Sequence, residues 1–298
     1  MKPALSENGN LNICGSFFSA RVLNELSRRG RSTTLMQLAQ ESGLLSATNK
    51  QESVGQLFQS AFDVIKKIQY RTEYTYKAAI TQKILLGTHS LNTASMLSEF
   101  RIHDRKADLI ILNGTGTVYE IKSERDSLSR LNDQIDRYRT VFSNVCVVAG
   151  DNHVSQVEKL VPDTVGIMRL SKRYTLQVVR KATEDHSRLD ALAIFNALST
   201  REAQLVLDDL GIEYPNVPNT IRRQEFAKIF SCIPPVELYK FSLITLRKVR
   251  NLSKIKCLID EIPESLHNAV LTSDLRKRDY ERFLGSISTP LEEAFRWV

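Results

Sequence analysis

Residues 107–122, ADLIILNGTGTVYEIK, decide how this chain is read. Two β-type runs, ADLIIL and TVYEIKS, flank a turn-forming connection, NGTGT. In the first run Asp108, Ile110 and Leu112 alternate with Ala107, Leu109 and Ile111, so both faces carry apolar residues and both are expected to be covered. An ionised carboxylate is costly in such a strand, which predicts a cation or donor beside Asp108. The second run places Val118, Glu120 and Lys122 on one face, with Tyr119 and Ile121 opposite. Loop parity then matters. An odd number of connecting residues puts Asp108 on the face of Glu120, and a two-residue loop puts them on opposite faces.

In the first case Asp108 and Glu120 can hold a hard divalent cation, Mg²⁺ or Mn²⁺, through oxygen, with the Ile121 carbonyl as a further ligand. Such a cation polarises a phosphate and lowers the pKa of a bound water. Lys122 can orient that water and offset charge on the transition state. A structural ion-pair cluster would use the same residue types.

Outward from this stretch the patterns run helix, strand, strand, strand, helix, strand. They are EYTYKAAITQKILLG, ASMLSEFRI, ADLIIL, TVYEIKS, SLSRLNDQIDRYRTVF and NVCVVAG. VGIMRL and YTLQVVRKA can pair as a hairpin at the sheet edge. Alternation puts Glu99 with Leu97 and Arg101, as a metal-side acid or a partner of Arg101. Glu73, Tyr76, Ile80 and Ile84 share one helical stripe, where Glu73 also suits the positive end of the helix dipole. Asp126 is a natural N-cap for the second helix, whose core stripe is Leu128, Leu131, Ile135, Tyr138 and Phe142. Gln134 and Tyr138 lie four apart on adjoining positions of that face.

This order, with D-x(11)-E-x-K, resembles the PD-(D/E)XK nuclease superfamily, with Ala107 in place of the namesake proline. Within it the chain looks like an uncharacterised bacterial and prophage-associated family, on the strength of EYTYK, SLNTASMLSEFR, KADLIILNG and YEIKSERDSLSRLNDQIDRYR. The resemblance is strongest from about Glu73 to Val179. It implies an α/β fold with a restriction-endonuclease-like core, and hydrolysis of phosphodiester bonds, with DNA favoured over RNA as the substrate. It also implies that Glu73 completes the metal shell. The spacing of Gln134 and Tyr138 resembles the helix motif of the RecB-like branch, whose residues line the cleft and contact substrate. The alternative is a nuclease-fold protein without turnover, serving as a nucleic-acid-binding or protein-interaction scaffold. A third reading is a regulator whose N-terminal helix pair reads DNA.

The flanks say less. The division expected is a helical segment over 1–65, with residues 1–13 frayed, a core over 66–183 and a helical region over 184–298. Two helical patterns end at glycines, FFSARVLNELSRRG and TTLMQLAQESGLL, and match a helix-turn-helix in length as any helical hairpin would. LYKFSLITLRKVRNLSKIKC and DLRKRDYERF read as amphipathic and cationic, for nucleic acid, a partner protein or a homodimer. Among 298 residues the formal net charge is +7, which favours an anionic partner. The cysteines Cys14, Cys146, Cys232 and Cys257 lack zinc-ligand spacing and read as reduced thiols, and no run is long and apolar enough for a signal peptide or membrane span. A cytoplasmic location without membrane contact is the expectation.

Overall fold

The computed structural model describes residues 10–297. Five helices come first, α1 (Ala20–Arg29), α2 (Thr33–Glu41), α3 (Leu44–Ala47), α4 (Val54–Ile65) and α5 (Glu73–Ile80). Strands β1 (Ser95–Ile102), β2 (Arg105–Leu112) and β3 (Gly116–Lys122) follow. Then come α6 (Leu131–Arg139), β4 (Asn144–Gly150), α7 (Val154–Leu160), β5 (Gly166–Leu170) and β6 (Leu176–Arg180). The remaining helices are α8 (Ala191–Ala197), α9 (Thr200–Leu210), α10 (Asn219–Phe230), α11 (Pro235–Val249), α12 (Lys256–Glu261), α13 (Glu264–Leu271), α14 (Tyr280–Ser288) and α15 (Leu291–Ala294). No described helix is long and apolar enough to cross a membrane.

The described residues form two compact units, one of 10–87, 172–175 and 253–297, the other of 88–171 and 176–252. This partition differs from a three-part division at 65 and 183. The C-terminal helices divide between the units, because α8–α11 share a core with the sheet while α13 and α14 pack on α1, α4 and α5.

In the first unit Phe18 and Tyr74 stack with ring centroids 4.2 Å apart, and Phe58 and Phe62 close on Phe18 from its edges. A capping box starts α4, in which Ser53 Oγ accepts the Gln56 N–H and Gln56 returns the bond to the Ser53 N–H. α1 stops where Gly30 turns left-handed, with φ of 72°, and donates its N–H to the Leu26 carbonyl. The frayed end expected over 1–13 lies, for residues 1–9, outside the described residues; Leu11–Phe18 are 3₁₀-helical. The helix expected over 73–87 ends at Ile80, and Thr81–Leu85 form a π-helical turn. Tyr76 and Ile80 of the expected stripe are buried, while Glu73, in the first turn, is exposed and pairs with Lys77 at 2.6 Å.

The second unit is an α/β fold around a mixed six-stranded sheet in the order β1 to β6. β1–β2, β2–β3 and β5–β6 are antiparallel, while β3–β4 and β4–β5 are parallel through the crossovers containing α6 and α7. The hairpin of β5 and β6 lies at the edge, as VGIMRL and YTLQVVRKA predict. α7 is an addition that the sequence pattern missed, since only Val157 of its seven residues is buried. Both faces of β2 are buried: Ile110 and Leu112 join the large core with Ile135, Tyr138, Val147 and Ile167, and Leu109 and Ile111 are also buried. α6 begins at Leu131, later than expected, with Arg130 at its N-cap. Asp126 instead closes the turn before it, its Oδ2 accepting the Ser123 N–H at 2.7 Å and the Ser123 hydroxyl at 2.6 Å. The long basic stretch 238–257 is likewise divided, α11 ending at Val249 and α12 starting at Lys256.

Candidate functional site

The β2–β3 connection is Asn113–Gly114–Thr115, three residues, with Gly114 at φ 106°. The register Leu109↔Tyr119 and Ile110↔Val118 makes Asp108 and Glu120 the next positions opposite one another, as the odd loop requires. Pairing between the two strands ends at Leu109↔Tyr119. Beyond it, Asp108 Oδ2 accepts the Ile121 N–H at 2.7 Å, so a side chain supplies the acceptor that a ladder carbonyl supplies elsewhere. Of the ligand role expected for Ile121, the contact seen is this N–H.

Glu120 is 2% exposed and lies on the face covered by α6. Its Oε1 accepts from Lys122 Nζ at 2.8 Å, and the same ammonium donates to Gln134 Oε1 at 2.8 Å. The Tyr138 hydroxyl stands 2.9 Å from Glu120 Oε2 and 2.9 Å from the Lys106 carbonyl. Its single proton can serve one acceptor at a time. Burial pushes the Glu120 carboxyl above the ordinary carboxylate range, against the opposing pull of Lys122, Tyr138 and Gln134. Burial also raises the Tyr138 phenol, and the neighbouring Glu120 raises it further. Glu120, Lys122, Gln134 and Tyr138 thus form one connected network from β3 and α6.

Glu99 departs from the alternation expected for it. The β1–β2 register skips both Glu99 and Asp108, and Glu99 has a left-handed φ of 53°. Across this point the core face passes from Leu97 to Phe100 and Ile102 on β1, and from Ile110 to Ala107 on β2, so parity changes in both strands. Glu99 is exposed with Arg101, while Leu97 is buried. Carboxylate oxygens of Glu99 and Asp108 lie within 4.8 Å of each other. A non-glycine residue held at positive φ is a cost that surrounding structure must offset, and such residues concentrate at functional positions.

The structure therefore brings together Glu99 with Asp108, and Glu120 with Lys122, Gln134 and Tyr138, all within the second unit. Glu73 belongs to the first unit. Sequence reasoning missed the Lys106 carbonyl, which no side-chain pattern signals. It also missed a cleft of about 490 Å³ between the β3–α6 connection (Asp126, Ser127) and α7 (His153, Gln156). Glu99 and Asp108 offer carboxylate oxygens of the kind a hard divalent cation takes, in an arrangement that exposed acids also adopt without one.

Residues 66–277 match the family described as Bacteriophage P4 protein cII. Protein cII of Enterobacteria phage P4 is 30% identical over 131 residues, which cover 42% of this chain and 49% of that protein. The chain thus spans about half the length of that curated relative. Among solved structures, the SPO1766 protein of unknown function from Silicibacter pomeroyi is 18% identical, with a TM-score of 0.28 over 40% of this chain and 81% of that one.

Proposed function

We propose that this chain, which belongs to the bacteriophage P4 protein cII family, is a metal-dependent nuclease with a restriction-endonuclease-like core that hydrolyses phosphodiester bonds in DNA. The observation that carries the reading is the shared glutamate. Glu120 is held by Lys122 from its own strand and by Tyr138 from α6, with Gln134 on the same ammonium. An E-x-K pair and a Q-x-x-x-Y helix each have ordinary structural explanations; their meeting on one carboxylate, next to the Ile121 N–H that Asp108 accepts, supports a common purpose.

Asp108 and Glu99 would hold Mg²⁺ or Mn²⁺, with Glu120 beside them. When bound, the cation would polarise the phosphate and lower the pKa of a coordinated water. Lys122 would place its ammonium near the attacked phosphate, offsetting the negative charge that grows there, and Gln134 would fix its direction. Tyr138 would hold Glu120 and keep its charge on the site face. A second reading, a scaffold without turnover, is favoured by one observation: every polar atom of the Glu120 and Lys122 side chains already has a partner within the chain.

Thermal unfolding with increasing Mn²⁺ separates the two. The nuclease reading predicts a midpoint that rises with Mn²⁺ in the wild type and does not in Asp108→Asn or Glu99→Gln. A midpoint insensitive to Mn²⁺ in the wild type would leave the scaffold.

A further inference from the structure

Two basic stretches at opposite ends of the chain, SRRGR over 27–31 and RKRDYER over 276–282, meet in the first unit. The Arg282 guanidinium lies 3.2 Å from the carbonyls of Ser27 and Arg28, and its aliphatic stem packs against Gly30. Arg282 and Arg276 also pair with the buried Asp279, at 3.4 Å each. This anchoring holds the 3₁₀ turn Lys277–Asp279 next to the end of α1. Glu25, the nearest acid on α1, is occupied by Ser32, Thr34 and Arg21.

Arg28, Arg29, Arg31, Lys277 and Arg278 are all exposed and form no ion pair among the described residues. Two exposed acids, Asp274 and Glu281, flank them. The negative end of the α1 dipole accounts for Arg28 and Arg29. It does not account for Lys277 and Arg278, which come from another part of the chain. Nor does the surface suit a lipid bilayer, where binding also needs apolar side chains to insert. None of the large exposed hydrophobic residues lies in either stretch.

We propose that these five residues form a binding surface for the phosphate backbone of double-stranded DNA. It lies in the first unit and is separate from the residues assigned to hydrolysis. A repeating polyanion gains most from such a surface, because each neutralised phosphate releases condensed counterions.

The test is anisotropy of a labelled DNA duplex with the full chain in EDTA, titrated with salt, so that no cleavage enters and failure of the hydrolytic reading leaves the result intact. Each phosphate contact contributes a slope of about −0.9 in log K against log salt. Changing all five residues to Ala is expected to reduce the slope by about 4.5, and Lys277→Ala alone by about 1. A control changes five exposed cations of the second unit, Lys159, Arg201, Lys240, Arg247 and Lys248, to Ala. It is expected to shift the slope by less than about 1. Equal losses in patch and control variants would assign the binding to net charge and overturn the proposal. So would phosphatidylserine vesicles that bind with the same dependence on the patch while DNA does not. If the fivefold variant fails to fold by circular dichroism, Lys277→Gln with Arg278→Gln carries the measurement, with an expected slope loss of about 2; no loss there overturns the proposal as well.

Discussion

The Asp108 carboxylate accepts the backbone N–H of Ile121 at 2.7 Å, just where β2 and β3 cease to pair. One acid therefore ties the open end of the hairpin and, on the reading proposed above, offers its other oxygen to a cation. Asp108→Asn keeps an acceptor for Ile121, whereas Asp108→Ala leaves that N–H without its acceptor. Asp108→Ala is expected to lose about 1–3 kcal/mol more stability than Asp108→Asn in urea unfolding. Equal stabilities would remove the structural half of the role.

Glu99 sits at φ 53°, where a β-carbon costs about 1–2 kcal/mol and glycine costs little. Glu99→Gly should leave stability unchanged or improved, while weakening divalent-cation binding. A clear loss of stability together with unchanged cation affinity would mean that Glu99 serves the fold alone.

The shared glutamate makes a pH prediction. Burial raises the Glu120 carboxyl above its ordinary range, and Lys122 pulls in the opposite direction. For a carboxyl raised by folding, the associated stability is present below the unfolded value of about 4.3 and is lost as pH rises through the folded value. Lys122→Met removes the counter-pull, so its unfolding free energy should fall more steeply than that of the wild type as pH is raised above about 4. Tyr138→Phe removes the hydroxyl shared by Glu120 and the Lys106 carbonyl, and should cost about 1–3 kcal/mol. Parallel pH–stability curves for wild type and Lys122→Met would contradict this account.

Asp185 behaves in the opposite sense. The Ser187 hydroxyl, the Ser187 N–H and Arg139 hold its carboxyl down at about 2. Its contribution is present above the ordinary value of about 3.9 and is lost as pH falls through about 2. Asp185→Asn should destabilise the chain at pH 6 and converge on the wild type near pH 2, read by urea unfolding at both values. A gap that persists at low pH would point to lost packing instead of charge.

Much of the second unit was legible because its signals are local. The period-two runs at 94–123, the connection NGTGT and the apolar stripe from Leu128 to Phe142 each determine their own element, and the three-residue loop then sets the β2–β3 register up to Leu109↔Tyr119. What escaped was set by tertiary context. The left-handed Glu99 switches strand parity, so alternation counted across it gives the wrong face. The π-turn after Ile80 buries Leu85 in place of Ile84 on the expected stripe, and Asp126 spends its carboxylate on Ser123 instead of on α6. The meeting of the Arg28 and Lys277 segments, more than two hundred residues apart, has no signature in either stretch.

The central claim is metal-dependent phosphodiester hydrolysis through Asp108, Glu120 and Lys122. It is tested most directly by incubating supercoiled, linear and single-stranded DNA, and RNA, with the wild type, Asp108→Ala and Lys122→Ala in Mg²⁺, Mn²⁺ or EDTA. The account predicts cleavage of DNA by the wild type with either cation, none in EDTA, and a loss of at least about 100-fold in both variants. Cation-dependent cleavage that survives both substitutions, or no cleavage of any substrate by the folded wild type, would contradict it.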